Sequence, residues 1–275
     1  MTLALSGCLP QRDFADRSQR PTARTAYTIP KDQIRVDAGL VGTDVHDAGL
    51  SASVHEGIND HLEVGANLAH AVLGVVNLDA KVAVFERPKA ALGLRAGVLW
   101  TNSSFLWALP RELRQGLGDI NVVTAPLLAT ATFPTTRWLN LHLGMGYTHI
   151  GMGGVFEVES ALIKGGLAAR DFFFEPQATF LLADRVALST RLHLSAWAAA
   201  QLGATAYQQL GPGVQAGIAS AEWVRIPFSY THRYSVSADM RLGRTTYASF
   251  AATLGRFGPI TPVFVWPSAN VYWRF

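Results

Sequence analysis

The chain has 275 residues, of which 49% are hydrophobic and 16% charged, with a net charge of +3 and one cysteine. Soluble domains carry about one quarter charged residues, and here the mean hydropathy is positive at +0.18. A single cysteine leaves no internal disulfide, and singly scattered basic residues leave no nucleic-acid-binding footprint.

Such a composition prompts a search for a spanning helix, which needs about 20 mainly apolar residues. The segment Trp138 to Phe156 has no Lys, Arg, Asp or Glu, yet it contains Asn140, His142, His149 and five glycines. The uncharged stretch Leu192 to Ala221 is broken by Gln201, Gln208, Gln209, Gly211, Pro212 and Gly213. No helical span results. The remaining options are a very apolar soluble β protein or a membrane barrel, because in hydrocarbon only helices and closed barrels satisfy every backbone group.

In chain order, residues 1–8 form the end of an apolar segment closing on Leu5-Ser6-Gly7-Cys8. Residues 9–33 are polar, rich in Arg, Asp, Thr and Pro, and lack a period, which predicts a flexible periplasmic tether. From Ile34 the dominant period is two, as in a sheet with two different faces. Ile34, Val36, Ala38 and Leu40 alternate with Arg35, Asp37 and Gly39. Leu78, Ala80, Val82 and Val84 alternate with Asp79, Lys81 and Ala83. Later, Leu188, Thr190, Leu192 and Leu194 alternate with Ser189, Arg191, His193 and Ser195.

This scheme places twelve strands at 34–42, 48–56, 61–71, 75–85, 90–101, 118–130, 138–148, 167–182, 186–197, 214–226, 233–248 and 263–275. Trp266-Pro267 predicts a kink or bulge in the last one. Tight turns are expected at Gly57–Asp60, Glu86–Lys89, Pro134–Arg137, Ala183–Arg185 and Tyr230–Arg233, where Gly, Pro, Asn, Asp and Thr collect. Longer links are expected near 102–117, 150–166, 198–213 and 254–262, with Gly151-Met152-Gly153-Gly154 read as a mobile outer loop. Strands of about ten residues, glycines among the charges of the polar face, and alternating short and long connections all favour the membrane version of the barrel. Residues 34–275 are therefore predicted to form an all-β, closed, antiparallel up-and-down transmembrane barrel of about twelve strands. Its outside is apolar, its lumen polar, and both ends of the chain lie on the periplasmic side.

Three short phrases resemble known bacterial signals. Leu5-Ser6-Gly7-Cys8 is similar to a lipobox, which implies a cleaved signal peptide and lipidation of Cys8. The end Val271-Tyr272-Trp273-Arg274-Phe275 resembles the C-terminal strand of outer-membrane barrels, in which Trp273 and Phe275 would be read by the barrel-assembly machinery. Gly57-Ile58-Asn59-Asp60-His61-Leu62-Glu63-Val64-Gly65 resembles a turn-and-strand phrase of the same proteins. The resemblance implies a Gram-negative outer-membrane barrel, of the porin or transporter kind, in contact with outer-membrane lipids, and identifies no subfamily.

The chemistry-bearing residues are expected on the inner face. Inward positions are Arg35, Asp37, Glu63, Asp79, Lys81, Arg95, Glu175, Arg191, His193, Asp239, Arg241 and Arg274. Both signs occur. Such a lining suits a wet channel for small polar solutes or a closed network of ion pairs. His193 and Ser195 resemble the neighbouring His-Ser pair of the outer-membrane phospholipase, but they fall on the lumen face, about 7 Å apart at the backbone given the strand rise. No metal-ligand spacing and no cofactor motif is present, so a non-enzymatic role is expected. A pore, a closed structural or interaction barrel, and a lipid-acting enzyme stand as alternatives, in that order.

Overall fold

The computed structural model describes residues 20–41, 49–102, 119–136, 138–158, 161–182, 186–209, 215–220, 222–226, 232–256 and 263–275. Cys8 and the turn at 183–185 lie outside the described residues. The strands are β1 (Ile34–Val41), β2 (Gly49–Asn59), β3 (Leu62–Asn67), β4 (Val75–Arg87), β5 (Ala90–Asn102), β6 (Asp119–Pro134) and β7 (Leu139–Val158). They continue with β8 (Ala161–Leu182), β9 (Val186–Gln209), β10 (Gln215–Ser220), β11 (Val224–Arg225), β12 (Arg233–Arg241), β13 (Thr246–Gly255) and β14 (Phe264–Arg274). One short helix, α1 (Leu68–Val72), is capped by Asn67, whose side chain accepts from the His70 backbone N–H at 3.2 Å.

All pairings are antiparallel, and the sheet closes on itself. β1 pairs with β14 through Arg35↔Arg274, and β8 pairs with β9 through Phe174↔Leu194. β10, β11 and β12 all lie along β9, with Gln215↔Gln209, Val224↔Ala200 and Arg233↔His193. These three pieces occupy one place in the wall, so fourteen strands make twelve wall positions. Closure leaves no sheet edge, which is what a strand protein needs in hydrocarbon.

The faces are arranged as the alternation predicts. Val82 and Leu143 are 42% and 50% exposed on the outside, whereas their neighbours Lys81 and His142 are 4% and 5% exposed on the inside. An apolar exterior around a polar axis is the arrangement that suits acyl chains outside. The short turns share one end with the first and last strand residues: the Ile34 N–H donates to the Phe275 carbonyl at 3.2 Å, and the Phe275 N–H donates back at 2.9 Å.

Several expectations are corrected. The regions 150–166 and 198–213 were expected as links, yet β7, β8 and β9 run 20, 22 and 24 residues and take up most of both. The glycine run is ladder, not loop: Gly153 pairs with Gly166, which pairs with Gly203. Glycines that match across neighbouring strands need no side-chain space, so the ladder continues where the apolar signal fades. The reversal expected at Tyr230–Arg233 does not occur, since β11 and β12 both run antiparallel to β9 and so continue in one direction; Tyr230 and Thr231 themselves lie outside the described residues. The real hairpin lies between Arg241 and Thr246, where the Leu242 and Gly243 N–H groups donate to the Thr246 carbonyl at 2.9 and 3.1 Å. Pro267 causes no bulge: the β13–β14 register runs unbroken through Ala252↔Pro267, and β1 pairs with β14 only as far as Ala269.

The expected tether is also corrected over its described part. Residues 20–33 do not hang free. Thr22 and Thr25 to Ile29 are buried, and the segment runs inside the barrel. Ala26 and Tyr27 pack on Ala91 as a small apolar cluster.

Candidate lumenal site

The site is built from an inner wall and a segment that stops part of it. The wall contributes a chain of hydroxyls and one imidazole at the short-turn end. Thr132 Oγ1 lies 2.9 Å from His142 Nδ1, and His142 Nε2 lies 3.2 Å from Thr179 Oγ1. Thr179 is in turn 2.9 Å from Ser189 Oγ. Four adjacent strands, β6 to β9, are thereby joined through side chains as well as backbone.

The segment docks on this belt. The Ala26 N–H donates to Thr132 Oγ1 at 3.0 Å, and the Ile29 N–H donates to Glu63 at 2.9 Å. The Lys81 ammonium donates to the carbonyls of Thr22, at 2.6 Å, and Tyr27. Arg24 pairs with Glu175 at 2.6 Å, both with little exposure, and Arg20 pairs with Glu86 at 2.5 Å. Arg274 donates to the Arg20 carbonyl at 2.7 Å. Buried backbone groups away from a ladder must find such partners or lose about the free energy of a hydrogen bond each. Two wall glycines make room for the chain: a Cβ on Gly93 would stand 2.7 Å from the Ala26 carbonyl oxygen, and one on Gly57 would meet the carbonyls of Ile29 and Pro30. At its tip the segment turns with Arg24 in the left-handed region, φ 55°. Burial pushes the Tyr27 phenol up, with the Arg20 charge opposing.

Above that contact the lumen holds a cavity of about 260 Å³, with Pro21 to Thr25 forming part of its lining. Most charges around it are already spent. Arg35 donates to Asp37 at 2.5 Å, and Asn270 donates to the same oxygen at 2.8 Å. Arg95 is held by Asp79 at 3.1 Å. The Tyr272 hydroxyl donates to Asp239 at 2.7 Å. Tyr247 and Tyr272 stack at 4.8 Å between centroids, and the Arg35 guanidinium lies 4.4 Å from the Tyr272 ring.

The structure thus brings Arg35, Asp37, Glu63, Asp79, Lys81, Arg95, Arg191 and Asp239 to one cavity, as the alternation predicts. Glu175 lies beside it on the segment's Arg24. Arg241 is not part of it: its guanidinium donates to the carbonyls of Gly243 and Arg244 and closes its own hairpin. Arg274 sits against the segment and the stacked tyrosines. Sequence reasoning placed Ser189 on the polar face but singled out none of Arg24, Thr132, Thr179, Ser189 and Tyr247 as site residues. The last four share the inward phase of their strands and were legible as lining, but nothing in a period marks a hydroxyl as a docking point.

His193 and Ser195 do not form a catalytic pair. His193 Nδ1 is 2.9 Å from Glu175, and its Nε2 is 3.1 Å from Asp171 and 3.0 Å from Arg233. Its ring also packs on Phe173 at 4.4 Å. Ser195 Oγ is buried and, among the described residues, has no hydrogen-bond partner, so His193 is not hydrogen-bonded to it.

No protein-family model and no curated protein sequence matches the chain. Solved barrels resemble it at low identity. The unliganded ferric citrate transporter FecA aligns at TM-score 0.41 and 10% identity, over 89% of this chain and 42% of that one, so the chain spans less than half of FecA. The toluene transporter TodX of Pseudomonas putida aligns at TM-score 0.42 and 11% identity over 88% of each chain. The outer membrane protease OmpT of Escherichia coli aligns at TM-score 0.40 and 10% identity, over 91% of this chain and 100% of that one. At such scores none of them assigns a role.

Proposed function

We propose that the chain is an outer-membrane channel for small polar solutes, stopped in the described state by its own residues 20–33. One observation carries this reading: the lumen keeps a polar cavity, and what stops it is a separate piece of chain held by a few side-chain contacts. A wall of twelve strands is wider than the roughly eight whose lumen side chains alone can fill, so here the closure falls to a piece of chain that enters the lumen. In this reading Cys8 is the acyl anchor of the N-terminal segment, and β14 with Trp273 and Phe275 is the strand the assembly machinery reads.

Planar-bilayer conductance tests it. The full chain should give rare, brief openings. A chain lacking residues 2–33 should give stable steps at least tenfold more frequent. Absence of current from the shortened chain, with folding verified by circular dichroism and heat-modifiable gel migration, would leave the closed structural barrel as the correct reading.

A further inference from the structure

Among the guanidiniums that line the cavity, one differs from the rest. Among the described residues Arg191 has no hydrogen-bond acceptor and no ion-pair partner, although it lines the cavity on β9. Its nearest ladder neighbours are Gln177 on β8 and Ser235 on β12, both uncharged. The cavity's other guanidiniums are committed: Arg24 to Glu175, Arg35 to Asp37 and Arg95 to Asp79. Glu175, the carboxylate whose charge reaches Arg191, is shared with Arg24 and hydrogen-bonded to His193.

Beside Arg191 the wall offers hydroxyls without charge. Ser237, Ser249 and Ser268 line the same cavity and make no side-chain hydrogen bond to a described residue. The register sets Ser237 and Ser268 in one row on either side of Ala251, with Ser249 two residues along β13 from Ala251, between Asp239 and Asn270. A guanidinium donates two parallel hydrogen bonds to a carboxylate, and such charged bonds are about twice as strong as neutral ones. Serine hydroxyls both donate and accept, which suits the hydroxyls of a solute. The volume equals that of eight or nine waters, at ~30 Å³ each in the liquid.

We infer that this cavity binds a small hydroxylated carboxylate, with the carboxylate on Arg191 and its hydroxyls along Ser237, Ser249 and Ser268. A guanidinium without a described partner calls for an anionic group on the solute. The inference rests on the solute-channel reading and names the solute class.

The test is calorimetric titration of the detergent-solubilised full chain with sodium D-gluconate, with D-glucose and sodium chloride as controls. Gluconate should bind at least tenfold tighter than glucose. Arg191→Gln should remove that preference, and Arg191→Lys should retain part of it. The triple change of Ser237, Ser249 and Ser268 to Ala should weaken gluconate but leave acetate binding unchanged. Equal binding of gluconate and glucose, or an unchanged preference in Arg191→Gln, overturns the site. If Arg191→Gln does not fold, the serine variant decides alone: unchanged gluconate binding there also overturns it. The two readings fail separately, because a channel that conducts without binding gluconate removes only the site, and a barrel that binds gluconate without conducting removes only the channel.

Discussion

The two levels of the lumen are made from similar residues and differ in what has been done with them. At the short-turn end, Thr132, Lys81 and Glu63 each meet an atom of residues 20–33. In the cavity next to it, Arg191, Ser237, Ser249 and Ser268 meet no described partner. Inside one barrel, then, burial of polar groups is of two kinds. A satisfied group costs little and fixes structure. An open one keeps its bonding capacity for something that arrives, and that distinction separates scaffold from site better than the identity of the residues does.

The largest test of this contrast removes the filler. Without residues 2–33 the lower level becomes as open as the cavity, and conductance should rise at least tenfold. Next is Glu175→Gln, which leaves Arg24 buried beside a neutral amide. Breaking a buried pair this way costs about 3–5 kcal/mol, so the stopped state should lose most of its population and single-channel records should show long openings. Adding Arg24→Met should recover part of the closure, because no buried charge is then left alone; unchanged gating in Glu175→Gln would show that the pair is idle. Gly93→Ala is smaller. Its methyl would press on the Ala26 carbonyl, and overpacking of this sort costs about 1–3 kcal/mol. Limited trypsin digestion should cut after Arg24 faster while the barrel's melting point stays put. Least of all is Ser249→Ala in the cavity, where thermal stability should change by less than about 0.5 kcal/mol, as for substitutions away from packed contacts. A larger loss would mean that the cavity level is structural after all.

Much of this was readable from the chain. Alternation set the inward and outward phases along most of the described strands, because period two records which face is apolar; it slips where the ladder does, so that Phe85 and Trp197 turn outward past the irregularities at Ala83/Phe85 and Phe172/Phe173. Boundaries were harder, for a physical reason at each place. At 233–248 the phase survives the hairpin: Arg241 pairs with Tyr247, both inward, so even numbers stay outward on either side of the turn. Only Gly243 hinted at the break. In β7 to β9 the glycines dilute the apolar count just where strands continue. Residues 20–33 have no period at all, since their conformation comes from Thr132, Glu63, Lys81 and Glu175 rather than from their own order. The open cation was legible as a lining residue and illegible as an open one, because pairing is decided by neighbours on other strands.

The hydroxyl-imidazole belt across β6 to β9 has a mechanical consequence. Thr132, His142, Thr179 and Ser189 act as an inner hoop stitched across a third of the circumference, in addition to the ladder behind it. A hooped tube does not stretch to let cargo by. In the proposed channel, a solute crossing this level would wait for the stopper to be drawn, and the bore it then met would be the one fixed when the tube was sewn shut.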